Sequence, residues 1–162
     1  MKQKKITLSV TTFASADELS NEDAALLKKA RAFTKGSYAP YSRFHVAAAA
    51  LLNNGKIVLG SNQENASFPV GICAERTLLA NAAMRYPGVA IKTMAITYRN
   101  MQGNSDEPVS PCGMCRQALT EYQQRVGQRM RLLLAGFEGE VYLIENAGDL
   151  LPLTFTGKVL RH

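Results

Sequence analysis

Two short segments must meet in any fold this chain adopts. Cys73-Ala74-Glu75-Arg76 and, 39 positions further on, Pro111-Cys112-Gly113-Met114-Cys115-Arg116 hold all three cysteines of the 162 residues. Both stand where helical periodicity begins. Ala74, Thr77, Leu78, Ala80, Ala82 and Met84 follow the first, closed by Pro87-Gly88; Leu119 and Tyr122 follow the second, with Gly127 past its end. Free N–H groups and the positive dipole end of a helix favour thiolate over thiol. The three-residue step from Cys112 to Cys115 keeps both on one face of a turn. One helix therefore delivers Cys73 and the other delivers Cys112 and Cys115.

Three thiolates around a zinc ion leave the fourth tetrahedral position open. Structural zinc sites are closed by four protein ligands, whereas catalytic ones keep a vacancy for water. Glu75, two residues after the first cysteine, is placed to move that water's protons without binding the metal. Zinc with three thiolates carries a net charge of −1, which opposes ionisation of a bound water. A cation should compensate, and Arg76 is the candidate, hydrogen-bonding the sulfurs from outside the ligand set. Two alternatives use the same cysteines. A structural site needs a fourth ligand, and the chain offers only His45, in strand alternation, and the terminal His162. A redox dithiol at Cys112 and Cys115 leaves Cys73 and Glu75 without a role.

The remaining composition narrows the class. Hydrophobic residues at 46% and charged ones at 20% are ordinary for a globular domain, and the length suits one such domain with a real core. An odd cysteine count argues against a secreted disulfide scaffold and for a reducing cytoplasm. Lys2, Lys4 and Lys5 precede Ile6–Phe13, and Ala14-Ser15-Ala16 has the look of a cleavage site. A secretory core, however, is an unbroken apolar run, and here Ile6, Leu8 and Val10 alternate with polar residues, the pattern of a short strand laid on the domain. No stretch approaches the length of a membrane span. The net charge of +6 owes much to the basic termini (Lys2, Lys4, Lys5, Lys158, Arg161). Without a basic run interleaved with aromatics it indicates a solvated surface rather than a nucleic-acid track.

Ser20 reads as an N-cap with Asp23 standing in for the usual Glu of a capping box, and the helix runs to Gly36. Asn53-Asn54-Gly55 between Phe44–Leu52 and Lys56–Gly60 is a hairpin signal. Asn62–Gly71 is a polar loop. Strands follow at Lys92–Tyr98, Arg131–Ala135 and Glu140–Ile144. Helices alternating with strands give a layered α/β domain.

Cys-Ala-Glu-Arg followed by Pro-Cys-Gly-x-Cys-Arg-Gln resembles the zinc-dependent cytidine deaminases of the small, homotetrameric three-cysteine type, and the likeness runs from about Tyr38 to Phe155. It implies a three-layer α/β/α sandwich around a mixed five-stranded sheet, over residues 20–162, with residues 1–19 as an extension before the usual family start. It implies one zinc per chain on Cys73, Cys112 and Cys115, with Glu75 shuttling protons to the pyrimidine ring nitrogen and then to departing ammonia. Asn62-Gln63-Glu64-Asn65 matches the family's Asn-x-Glu-Asn segment, in which Asn62 and Glu64 would hydrogen-bond the sugar. Phe44 matches an aromatic packed on the base or sugar, and the Ala74 N–H would hold the base carbonyl. Phe155 would reach a neighbouring subunit's pocket. Ala47 stands where the family commonly has glycine.

The activity so implied is hydrolytic deamination of cytidine and 2′-deoxycytidine in pyrimidine salvage. The nearer rival is a deaminase of the same fold acting on a modified cytosine nucleoside such as blasticidin S. The Asn62 and Glu64 pair favours an unmodified nucleoside. The distant rival is a zinc-containing nucleic-acid binder, for which binding would fall steeply with salt; an editing deaminase lies between, and lacks a basic-aromatic track here.

Overall fold

The computed structural model describes residues 1–160, with only the backbone of Lys158 and Val159; Arg161 and His162 lie outside the described residues. Six strands form one mixed sheet: β1 (Thr11–Phe13), β2 (Phe44–Leu52), β3 (Ile57–Ser61), β4 (Ile91–Asn100), β5 (Arg131–Ala135) and β6 (Val141–Ile144). Their order is β1-β6-β5-β4-β2-β3. Every neighbouring pair is antiparallel except β4 with β5. That parallel pair requires a crossover, supplied by helix α3 (Gly113–Val126). Helix α1 (Asn21–Phe33) precedes β2, and α2 (Ala74–Arg85) joins β3 to β4.

The layers follow from which side chains each face buries. On one face Leu26, Leu27 and Ala30 of α1 pack with Ala49, Ala95 and Leu133. On the other, Leu78 of α2 and Leu119 and Tyr122 of α3 pack with Met94, Ile96, Leu132 and Leu134. The expected three-layer sandwich is present, with a sheet of six strands in place of five. The additional strand comes from the N-terminal extension. Thr11–Phe13 pairs with β6, and Phe13 packs on the α1 side of the core. Pairing stops there; Ile6, Leu8 and Val10 lie outside the sheet.

Local signals act as the sequence suggests, with one correction. Ser20 caps α1 by accepting the Asp23 N–H at 3.2 Å. Asp23 does not complete a capping box. Its carboxylate instead takes both arms of the Arg131 guanidinium, at 3.2 and 3.0 Å. A buried carboxylate gains more from a bidentate, charge-assisted pair than from one backbone N–H. Gly55 closes the β2–β3 hairpin at φ +77°, a conformation open to glycine.

The central strand β2 is covered on both faces, and Ala47–Ala50 are completely buried. Small side chains there let helices approach from both sides. The tightest approach is at Gly60 of β3. A Cβ at that position would stand 2.5 Å from the Ala74 carbonyl oxygen and 2.5 Å from the Leu78 nitrogen. The first turn of α2, which carries Ala74 and Glu75, therefore rests directly on strand backbone.

Candidate active site

Cys73 is the N-cap of α2 and Cys112 the N-cap of α3, both in extended backbone. Neither side chain accepts a cap hydrogen bond. N-caps are usually Ser, Thr, Asp or Asn, whose oxygen satisfies a first-turn N–H, worth about 1 kcal/mol. Here both positions forgo that bond, and the sulfurs turn toward one point. Cys73 Sγ lies 3.8 Å from Cys112 Sγ, and Cys112 Sγ 3.5 Å from Cys115 Sγ. All three sulfurs lie within 4.8 Å of one another. Tetrahedral ligands at Zn–S of about 2.3 Å stand about 3.8 Å apart. The donor set thus fits one zinc ion.

Crowding splits the thiols' acidities. The Cys73 thiol is drawn down to about 6, chiefly by its hydrogen bond with Cys115, and the same contact together with burial drives the Cys115 thiol far up. The Cys73 thiolate forms readily and Cys115 resists a second negative charge, so a divalent cation is what the cluster needs to ionise fully. Arg76 lies half-buried beside it. Its charge lowers the Cys73 and Glu75 pKa values, yet it makes no hydrogen bond to a sulfur among the described residues. His45, the alternative fourth ligand, lies in β2 outside the cluster, paired across the ladder with Arg99. His162 lies outside the described residues.

Glu75 sits in the first turn of α2, 4% exposed. Burial raises its carboxyl pKa above the ordinary carboxylate range. A shift in that direction makes the carboxyl a better proton carrier, which is what general acid–base work requires. Glu75, Ala74, Cys73 and Cys112 border a cleft of about 620 Å³, within the usual range for a small-molecule site. Ala74 is fully buried as the first residue of α2, where backbone N–H groups have no partner within the helix.

The cleft lining also carries Asn62 and Glu64. Asn62 is braced: its Oδ1 accepts the Val46 N–H at 2.8 Å and the Ser37 hydroxyl, and its Nδ2 donates to the Phe44 carbonyl at 2.9 Å. One Nδ2 hydrogen is left for a ligand. Glu64 accepts the N–H groups of Tyr41 and Ser42 at 2.9 and 3.3 Å. The Ser42 hydroxyl and these N–H groups hold its pKa below the ordinary range. It is a fixed anion.

Two aromatics singled out in the sequence stand elsewhere. Phe44 stacks on Tyr98, with ring centroids 4.6 Å apart and planes at 18°, and does not line the cleft. Val46, two positions along β2, lines it instead. Phe155 is exposed, its carbonyl accepting from Gln117 Nε2 at 3.0 Å, away from the cleft of its own chain.

Sequence reasoning missed three contributors. Tyr41 and Phe68 meet edge to face, 6.0 Å between centroids, on the cleft lining. Arg116 donates from Nε to the Pro111 carbonyl at 2.9 Å and from Nη1 to the Leu150 carbonyl at 3.1 Å. It ties the turn that presents Cys112 to the segment after β6. Its place directly after Cys115 was the available signal. Gly60 is the third.

Residues 20–128 match the family described as the cytidine and deoxycytidylate deaminase zinc-binding region. The chain belongs to this family. Among curated relatives, the cytidine deaminase of Halalkalibacterium halodurans is 38% identical over 135 residues, 82% of this chain and 93% of its own. That of Sporosarcina psychrophila is 36% identical over 136 residues, 83% and 90% of the two chains. The crystal structure of cytidine deaminase from Burkholderia pseudomallei aligns with a TM-score of 0.70 at 37% identity, over 85% of this chain and all of that one. The enzyme from Mycobacterium tuberculosis aligns at 0.62 and 29%, over 82% and 95%. The deaminase family and the zinc-ready sulfur cluster agree.

Proposed function

We propose that this chain is a zinc-dependent cytidine deaminase that converts cytidine and 2′-deoxycytidine to the corresponding uracil nucleosides with release of ammonia. The observation that carries the reading is the convergence of Cys73, Cys112 and Cys115 at two helix starts, with buried Glu75 beside them on one cleft. Zinc, when bound by these three sulfurs, lowers the pKa of a water toward neutrality.

The chain's own residues supply the rest. Glu75 takes a proton from the attacking water and delivers it to the pyrimidine ring nitrogen. It then carries the water's second proton to the exocyclic amine, which departs as ammonia while carbon 4 gains the oxygen. A raised pKa suits both halves of that shuttle. The Ala74 N–H holds the base carbonyl. The free Nδ2 hydrogen of Asn62 and the carboxylate of Glu64 hold the sugar hydroxyls. Arg76 balances the negative charge of the thiolates from half-buried distance.

Among the described residues the cleft lining holds two carboxylates, Glu64 and Glu75, and no lysine, arginine or histidine. A substrate phosphate would enter among like charges with no cation to pair with, which favours a nucleoside over deoxycytidylate. The same asymmetry opposes a polynucleotide. Phe44, held off the cleft by Tyr98, supports the cleft's rim through β2 rather than touching the base from within its own chain. Exposed Phe155 is free to enter a neighbouring chain's cleft, as in a homotetramer, and residues 20–162 form the catalytic domain. A cytoplasmic role in pyrimidine salvage is consistent with three free thiols.

The test is ammonia release, followed with the ultraviolet absorbance change, from zinc-loaded protein given cytidine, dCMP, blasticidin S or single-stranded DNA. Cytidine turnover is expected, with Glu75→Gln keeping zinc and losing more than about 10³-fold in kcat. Turnover of dCMP or DNA in preference to cytidine overturns the substrate assignment, and an active Glu75→Gln overturns the shuttle.

A further inference from the structure

The N-terminal arm has a feature the deaminase fold does not use. Residues 1–10 precede the family match, which begins at residue 20, and run outside any helix or strand. Ile6, Leu8 and Val10 alternate along the arm and remain 50%, 47% and 40% exposed. Strand β1, which continues the arm, is an edge of the sheet, hydrogen-bonded to β6 on one side only. An apolar alternation running into an open edge is a template for strand pairing.

Charge is arranged along the same line. Lys2, Lys4 and Lys5 stand at the free end of the arm and take part in none of the ion pairs among the described residues. At the other end of β1 stand exposed Asp17, Glu18, Glu138 and Glu140. Phe13 pairs with Val141, which sets Glu140 beside Ala14. Asp17 and Glu138 both lie close enough to act on the Arg31 guanidinium, so carboxylates from two segments converge there. Lysines on an edge often guard against pairing. Here they stand beyond the edge, where an antiparallel second arm would bring carboxylates to meet them.

We propose that the N-terminal arm is an association strand that pairs antiparallel with the β1 arm of a second copy of this chain. The pairing is isologous, so each contact occurs twice. A two-fold axis at Ser9 sets Thr7 opposite Thr11, Val10 opposite Leu8 and Lys5 opposite Phe13. That register places Lys2, Lys4 and Lys5 of each copy against the carboxylates around Asp17 and Glu140 of the other. Residues 5–13 then form about 30 Å of shared strand, and the two sheets become continuous. The contact lies at the opposite edge of the sheet from β3 and shares no residue with the cleft.

The test couples amines to carboxylates with a zero-length carbodiimide in the full-length protein, and maps the linked peptides from the covalent dimer. Links from Lys2, Lys4 or Lys5 to Asp17, Glu138 or Glu140 are expected in the dimer band. Hydrogen exchange then follows the amides of residues 6–11. They should exchange at least about 10-fold slower than in an open chain. Protection should be lost in Lys2→Glu/Lys4→Glu/Lys5→Glu and in Asp17→Lys/Glu138→Lys/Glu140→Lys, and should return when all six substitutions are combined. Links confined to the monomer band, unprotected arm amides in the wild type, or a six-site protein that stays unprotected overturns the proposal. Cytidine turnover should be unchanged throughout, because the deaminase reading and the arm reading share no residue.

Discussion

Gly60→Ala is the change that most directly tests how the fold holds the site. The new Cβ would lie 2.5 Å from the Ala74 carbonyl oxygen, 2.5 Å from the Leu78 nitrogen and 2.7 Å from the Leu78 Cβ. Ordinary contacts at such atoms are about 3.5 Å, so α2 must recede by about 1 Å. Backbone atoms on both sides leave no side chain to rotate away. Overpacking of this kind costs about 1–3 kcal/mol, and for a chain of this length 2 kcal/mol lowers Tm by about 4–8 °C. The same displacement moves Cys73, Ala74 and Glu75 together against Cys112 and Cys115, which ride on α3. A misplacement of about 1 Å at a reacting centre can cost about 100-fold. The assays are thermal unfolding, zinc affinity by chelator competition, and kcat/KM for cytidine. A loss in all three is expected. Gly113→Ala serves as the control, since a Cβ there meets nothing within 4 Å although the residue sits between ligand Cys112 and the rest of α3. A Gly60→Ala protein with wild-type zinc affinity and turnover refutes the argument that this contact sets the helix.

Two further changes probe the sulfur cluster. Cys73→Ser restores a capping oxygen at the start of α2. The metal-free variant should therefore be more stable than the metal-free parent by about 1 kcal/mol, with the order reversed when zinc is added, because binding stabilises only the parent strongly; urea unfolding with and without a chelator reads both, and a metal-free variant less stable than its parent contradicts the capping argument. Arg116→Gln removes two bonds to carbonyl oxygens. It should weaken zinc binding about 10–100-fold while the far-ultraviolet dichroism stays unchanged, and undiminished zinc affinity would show that the Pro111–Cys112 turn holds itself.

What the sequence made legible was local chemistry with a fixed period. Asn53-Asn54-Gly55 announced the β2–β3 hairpin, Ser20 announced α1, and the cysteine spacing announced two helix starts, because each signal acts over a few residues. What it hid was long-range. Asp23 looks like half of a capping box until Arg131, 108 positions away, arrives to take its carboxylate. Phe44 and Val46 share one face of β2 by parity, and only the pairing of β2 with β4 brings Tyr98 over Phe44 and leaves Val46 to the cleft. The sixth strand depended on a partner, β6, that no property of Thr11–Phe13 names. Asn62 and Glu64 did converge on the cleft wall, yet the backbone bonds that brace them come from segments well before them in sequence.

The site can also be located by where the chain departs from its own local preferences. Two of three helix starts, those of α2 and α3, lack the capping oxygen that Ser20 supplies to α1. A glutamate is buried beside them with its pKa raised by desolvation, where an apolar residue would fold more cheaply. A glycine sits in mid-strand, where it weakens the strand, so that α2 can rest on backbone. A missing cap costs about 0.5–2 kcal/mol and a mid-strand glycine about 0.5–1 kcal/mol. The uncapped starts and Glu75 lie in the first turns of α2 and α3, and Gly60 meets α2 from β3, so that all serve the position of three sulfurs and one carboxylate. Stability given up repeatedly around one cluster of side chains marks that cluster as a place selected for chemistry.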